Sequence, residues 1–128
     1  MLDHSLATGW DPANAGFVEA GYIYADGDPL VVVDATKNWW AQAEGLNTLL
    51  LFGDIVPAER ARYHDRFVQM WGLIQGYLVD HGRGGWYAGT LDRQPHLREA
   101  DKGSIWKGPY HNVRALMNVA RRLRGEGE

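Results

Sequence analysis

Apolar side chains return at helical spacing over residues 58–79, where Tyr63, Phe67, Met70, Trp71, Ile74 and Leu78 follow i, i+3, i+4 steps. This pattern predicts a long helix, and Pro57 suits its start. A second helix is expected over 38–52, with Trp39, Ala43, Leu46 and Leu50 as its packing face. Thr36 is the predicted N-cap, and Gly53-Asp54 the predicted stop. A third helix is expected over 111–123, with Val113, Leu116, Met117, Ala120 and Leu123 on one face. Its closing "RRLRG" puts cations at the negative end of the helix dipole.

Outside these periods the pattern is short and punctuated. The first 35 residues are poor in helix signals, and "AGYIYADGDPLVVVDAT" predicts two strands, about 21–25 and 30–34, around an Asp-Gly-Asp-Pro turn. "HGRGGWYAGTLDRQP" reads as a glycine-rich turn, a strand over 86–90 and a further turn. A polar loop is expected over 96–109, and the Gly-Glu-Gly-Glu tail is expected to be disordered. No internal repeat is visible. Three helices with strand-bearing connections predict a mainly α fold, a helical toroid or bundle that carries its functional loops on one face.

Length and composition narrow the function. A chain of 128 residues fits one domain, and a formal charge of -3 with mixed signs does not steer towards nucleic acid. With no cysteine, thiolate metal sites and cysteine nucleophiles are excluded. The N-terminal stretch has neither the basic nor the apolar region of a signal peptide, and no apolar run reaches the ~20 residues of a membrane span. A cytoplasmic location is therefore expected. Six Trp and six Tyr against three Phe favour aromatics with a polar tip, which suit sugar clefts and interfaces as well as cores.

Two clusters carry candidate chemistry. On the 38–52 helix, Lys37, Trp40, Glu44 and Thr48 make a second stripe, with a large ring between a cation and a carboxylate. This suits the wall of a polar cavity. The alternative is a half-covered Trp beside a surface ion pair. In "IWKGPYHNVRALM", His111 is expected in the first turn of a helix, where unpaired N–H groups favour the neutral imidazole that a general base needs. Trp106, Lys107 and Tyr110 precede it, and Arg114 follows on the same side. The alternative is a histidine that only caps a loop. His64 is expected to be solvated, His81 to cap a helix end, and His4 to lie in a loop. His96 and Glu99 are three apart, but in a loop that spacing does not place them together. No histidine pair has ligand spacing, so no metal site is expected.

The stretches "TKNWWAQAEGLNTLL", "GRGGWYAGTL" and "KGSIWKGPYHNVRALM", in this order, resemble the N-acylglucosamine 2-epimerase family, which includes the cellobiose 2-epimerases. The likeness covers about residues 8–124. It implies part of an (α/α)6 barrel, about three long antiparallel helices with short β-hairpins on the connections. Residues 1–128 would form the C-terminal segment of that barrel. It also implies proton transfer beside an open-chain sugar carbonyl through an enediolate, without metal or cofactor. His111 is the implied catalytic histidine. Lys37, Trp40, Glu44, Trp106, Tyr110 and Arg114 are the implied contacts to a mono- or disaccharide. The family pattern has Pro where this chain has Ala41, and acidic residues where it has His81 and Arg83. A second catalytic histidine would lie upstream in the family, so the lone monomer is expected to be inactive and the chain to form a homodimer or larger homo-oligomer. A non-catalytic sugar-binding or self-associating module is the alternative expectation.

Overall fold

The computed structural model describes residues 1–90 and 102–126. The turn expected after Thr90, the first part of the 96–109 loop and the His96–Glu99 pair lie outside the described residues, as does the end of the tail. A short helix α1 (Leu2–Thr8) opens the chain. Two antiparallel strands follow, β1 (Ala20–Tyr22) and β2 (Val31–Asp34), with Tyr22 opposite Val31. Strand β3 (Lys37–Asn38) leads into helix α2 (Trp39–Ile55). A 3-10 turn (Pro57–Glu59) precedes helix α3 (Arg60–Leu73), which passes into a π-helical turn (Ile74–Leu78). Strand β4 (Gly89–Thr90) pairs antiparallel with β3, and helix α4 (Tyr110–Leu123) closes the described structure.

Helix α2 is the hub, packed on α3 on one side and on α4 on the other. Its Ala43, Leu46 and Leu49 are fully buried, and they meet Tyr63, Phe67, Met70 and Ile74 from the α3 side and Ala115 and Val119 from α4. Gly45 makes the α2–α3 approach possible. A Cβ there would lie 2.8 Å from Met70 Cε and 3.0 Å from Phe17 Cε2.

Several expectations change. The first 35 residues do hold a helix, α1, and His4 lies on it rather than in a loop. Asn38, not Thr36, caps α2: its backbone is extended and its side chain accepts from the Ala41 N–H at 2.9 Å. Lys37 therefore belongs to β3 and does not share the Trp40–Glu44 face. Gly53-Asp54 does not stop α2, which runs on to Ile55 and ends before Pro57, whose ring disfavours a helical residue ahead of it. The long 58–79 helix is three segments, of 3-10, α and π geometry. On α4 the inward residues are Ala115 and Val119, while Val113, Met117 and Leu123 of the expected packing face stay exposed.

An internal repeat is also present, carried by geometry rather than by residue identity. Around Asp11, Trp10 bridges Phe17, the Asp11 N–H donates to Gly16 O at 2.9 Å, and Asp11 Oδ1 accepts from the N–H groups of Ala13 and Asn14. Sixty-nine positions later (80 against 11), Val79 bridges Trp86, the Asp80 N–H donates to Gly85 O at 2.9 Å, and Asp80 Oδ1 accepts from Gly82 and Arg83. Each turn closes on two consecutive residues of positive φ: Ala15 (63°) and Gly16 (72°), then Gly84 (74°) and Gly85 (80°). A lysine seals each turn, Lys37 on Asp11 Oδ2 at 2.9 Å and Lys102 on Asp80 Oδ2 at 2.7 Å.

Candidate active site

Because Asn38 sets the start of α2, Trp40 and Glu44 stand one turn apart on the same face. Helix α4 starts after Pro109, so His111 is its second residue and Arg114 lies three further on. Packing α2 on α4 joins the two sets. Glu44 Oε1 accepts from His111 Nδ1 at 2.7 Å and also from the Arg114 guanidinium. The His111 imidazole lies 6.0 Å from the Trp40 ring and 5.1 Å from the Tyr110 ring, measured between centroids. The Arg114 guanidinium sits 5.1 Å over Tyr110.

Charge decides the tautomer. Partial burial pushes the Glu44 carboxyl up, but the hydrogen bonds from His111 and then Arg114 outweigh it and hold the group below its ordinary value. An ionised carboxylate only accepts, so His111 Nδ1 must carry the proton. In the neutral ring the lone pair then sits on Nε2, which makes no hydrogen bond among the described residues. A ring held in this way by a carboxylate presents a defined nitrogen outward, the arrangement a general base needs.

The surroundings are open and aromatic. Trp40 is 45% exposed, Tyr110 64% and Trp106 84%, so none of these rings is a core residue. A groove of about 290 Å³, lined by Leu2, Phe17, Trp40, Glu44, Thr48 and Phe52 among others, runs along the same face of α2. Trp106 stands with Ile105 at the tip of a two-residue loop, closed by both backbone bonds between Ser104 and Lys107 at 3.2 Å each. Lys37 stands apart from the cluster. Its side chain is fully buried and its ammonium engages Asp11. Of the seven expected site residues, five converge: Trp40, Glu44, Tyr110, His111 and Arg114.

Two of the remaining histidines behave as expected. His81 Nε2 donates to Gln75 O at 2.8 Å, at the end of the π turn, and His64 is exposed on α3. Among the described residues no cluster of three or more His, Cys, Asp or Glu side chains could hold a metal ion. No described helix is long and apolar enough to cross a membrane. Sequence reasoning missed Gln42 and read Lys107 only as a cation near His111, whereas both hold the framework. Gln42 grips Phe17 twice, accepting from its N–H at 2.9 Å and donating to its carbonyl at 3.0 Å. Lys107, buried in the wall behind Trp106, donates to Trp86 O and Lys102 O. The signal for both was their equal spacing, five residues after Lys37 and five after Lys102.

A profile of the N-acylglucosamine 2-epimerase (GlcNAc 2-epimerase) family matches residues 1–115, and the chain belongs to that family. Cellobiose 2-epimerase of Ruminococcus albus is 36% identical over 96 residues, which cover 70% of this chain and 23% of that protein. Cellobiose 2-epimerase of Bacteroides fragilis is 31% identical over 105 residues, 79% of this chain and 25% of that one. Among solved structures, a D-mannose isomerase superposes with a TM-score of 0.73 at 28% identity, covering 93% of this chain and 28% of its own. Cellobiose 2-epimerase of Spirochaeta thermophila superposes with a TM-score of 0.65 at 32% identity, covering 73% and 23%. These relatives are (α/α)6-barrel proteins, and the chain carries part of that fold. It spans about a quarter of the length of the curated relatives it matches.

Proposed function

We propose that this chain supplies the acid–base histidine and one wall of the sugar site in a sugar 2-epimerase or aldose–ketose isomerase, as the C-terminal segment of the barrel. His111 Nε2 removes the proton from the carbon next to an open-chain sugar carbonyl, the electron pair moves into an enediolate, and Glu44 stabilises the imidazolium that forms. The observation that carries this reading is the His111 Nδ1–Glu44 Oε1 bond of 2.7 Å, which leaves Nε2 as the reactive atom. Trp40, Tyr110 and Trp106 offer apolar ring faces to a mono- or disaccharide, and Arg114 shares the Glu44 charge. Lys37 contributes as a strut for the Asp11 turn, since its buried ammonium is committed there.

Inversion needs a second acid on the opposite face of the carbon. Among the described residues, His4, His64 and His81 are exposed and none bonds Glu44, and on this reading the lone cytoplasmic chain exchanges the proton without epimerising the sugar. Cellobiose or mannose in heavy water should gain deuterium at C2, and His111→Ala should abolish the exchange. Exchange that persists in His111→Ala sinks the assignment of the base, and full epimerisation by the monomer sinks the one-base reading.

The exposure of three aromatic rings favours a second reading, a sugar-binding module without catalysis. It is the better account if sugars change tryptophan fluorescence while C2 exchange stays at background. In either case the open face of α4 supports homo-oligomers.

A further inference from the structure

The two Asp turns are tied down in the same way but by different residues. In the first, Lys37 binds Asp11 and, five positions on, Gln42 donates to the carbonyl of Phe17. In the second, Lys102 binds Asp80 and, five positions on, Lys107 donates to the carbonyl of Trp86 at 2.8 Å. Phe17 and Trp86 hold equivalent places, as the bridge partners of Trp10 and Val79. The first pair of ties sits at the entry of α2. The second sits in the loop before α4, where the chain turns out to the tip Ile105-Trp106 and only then enters its helix. The expected sugar plate thus lies between two residues whose counterparts both tie down the first turn.

We propose that Lys107 is a positioning residue: it takes the place of Gln42 in the second turn and thereby fixes the loop tip that carries Trp106 ahead of α4. Lys107 is 7% exposed, and its ammonium binds Trp86 O at 2.8 Å and Lys102 O at 2.7 Å and lies 5.5 Å from the Trp39 ring. Burial first, and the Lys102 charge second, push this ammonium below the usual lysine range, so it sits there at an electrostatic cost. An apolar side chain of the same length would fill the space without that cost. What it would lose is the tie between the loop and the Trp86 turn. Ser104 Oγ, which accepts from the N–H groups of Trp106 and Lys107 at 3.1 Å each, shapes the tip but does not attach it to the body. Among the described residues that attachment runs through Lys107 and through Lys102, which also reaches Gly84 O at 2.7 Å.

The proposal rests on the sugar-site reading only for what the plate serves, and its test contains no sugar. In 15N relaxation of the wild-type chain, the Trp106 amide should be as ordered as α4, with an order parameter near about 0.85, against under about 0.6 at the hairpin tip Gly27. Lys107→Met should drop Trp106 towards the value of Gly27 and shift its indole N–H signal, Lys107→Arg should restore both, and the His111 ring signals should stay in place. A merely structural role would move His111 and Trp106 together. The proposal is overturned by a wild-type Trp106 as mobile as Gly27, a measurement that stands even if Lys107→Met does not fold. It is equally overturned if Lys107→Met leaves Trp106 unmoved, or if both residues shift at once.

Discussion

Glu44 receives a ring nitrogen and a guanidinium on one oxygen, and that sharing sets how His111 can act. Replacing it with Gln keeps the volume but removes the charge that selects the Nδ1–H tautomer. Glu44→Gln should therefore slow C2 proton exchange by about 100-fold, within the range of acid–base effects, while leaving helix content unchanged by circular dichroism. Equal rates in the two proteins would show that Glu44 does not hold the base. Asp11 poses a stability question instead. Burial pushes its carboxyl up, but the hydrogen bonds from Asn14, Lys37 and the Ala13 backbone outweigh that and lower it from 3.8 to about 2. A carboxyl depressed in the folded state stabilises above its unfolded value and loses that contribution as pH falls through the folded one. Here the window runs from about 4 down to about 2, and a shift of nearly two units corresponds to about 2 kcal/mol. Thermal melts over that window should show the loss. Asp11→Asn should flatten it and should cost about 2 kcal/mol at neutral pH, the contribution of the depressed carboxyl.

The two Asp turns make a controlled comparison between elements. Gly84 sits at φ 74° with nothing within 4 Å of an added Cβ, and its counterpart Ala15 already holds an alanine at φ 63°. Gly84→Ala should cost about 1 kcal/mol, the strain of the left-handed region alone. At Gly16, also left-handed, a Cβ would fall 2.5 Å from Gln42 Oε1 and 2.6 Å from Leu73 Cδ2. Gly16→Ala should add about 1–3 kcal/mol of overpacking to the same strain and break the Gln42 grip on Phe17, so its denaturation midpoint should fall well below that of Gly84→Ala. Similar midpoints would undercut the packing argument. The same elements explain what a sequence can reveal. The three helices were readable because each keeps a 3.6-residue period over several turns. The repeat was not, because "WDPANAGF" and "VDHGRGGW" share little beyond an Asp and a Gly, and the likeness resides in φ angles and side-chain-to-backbone bonds. Helix α1 was hidden by its seven-residue length and lack of a side-chain cap. In the site, Trp40 and Glu44 followed from helical spacing. The Glu44–His111 bond joins residues 67 apart, and only the packing of α2 on α4 brings them together. Lys37 was misplaced because its stripe assumed a helix that begins two residues too early.

At the scale of the whole molecule, the mismatch lies on α4. Its pattern is amphipathic, yet Val113 is 51% exposed, Met117 59% and Leu123 60%, while α2 covers only the Ala115–Val119 side. The β1–β2 hairpin likewise leaves Tyr24, Val32 and Val33 in solvent. A 14-residue helix is about 21 Å long and 10 Å wide, so two α4 faces in contact would bury roughly 400 Å² in total. Stable dimers bury about 1,200 Å² or more, so an α4 pair alone gives weak association, and a tight dimer would have to recruit the hairpins as well. The proposed homo-oligomer should therefore be concentration-dependent, with a dissociation constant of about 10 μM or weaker. Sedimentation velocity over a wide concentration range should show the weight-average mass rising from 14.4 kDa towards twice that value. Met117→Glu, which places a charge at the centre of the face, should hold the chain at the monomer mass. Deleting the hairpin tip should weaken association less if α4 is the main contact. A wild-type mass that stays at 14.4 kDa at every concentration would sink the oligomer and leave the open face of α4 to a different partner.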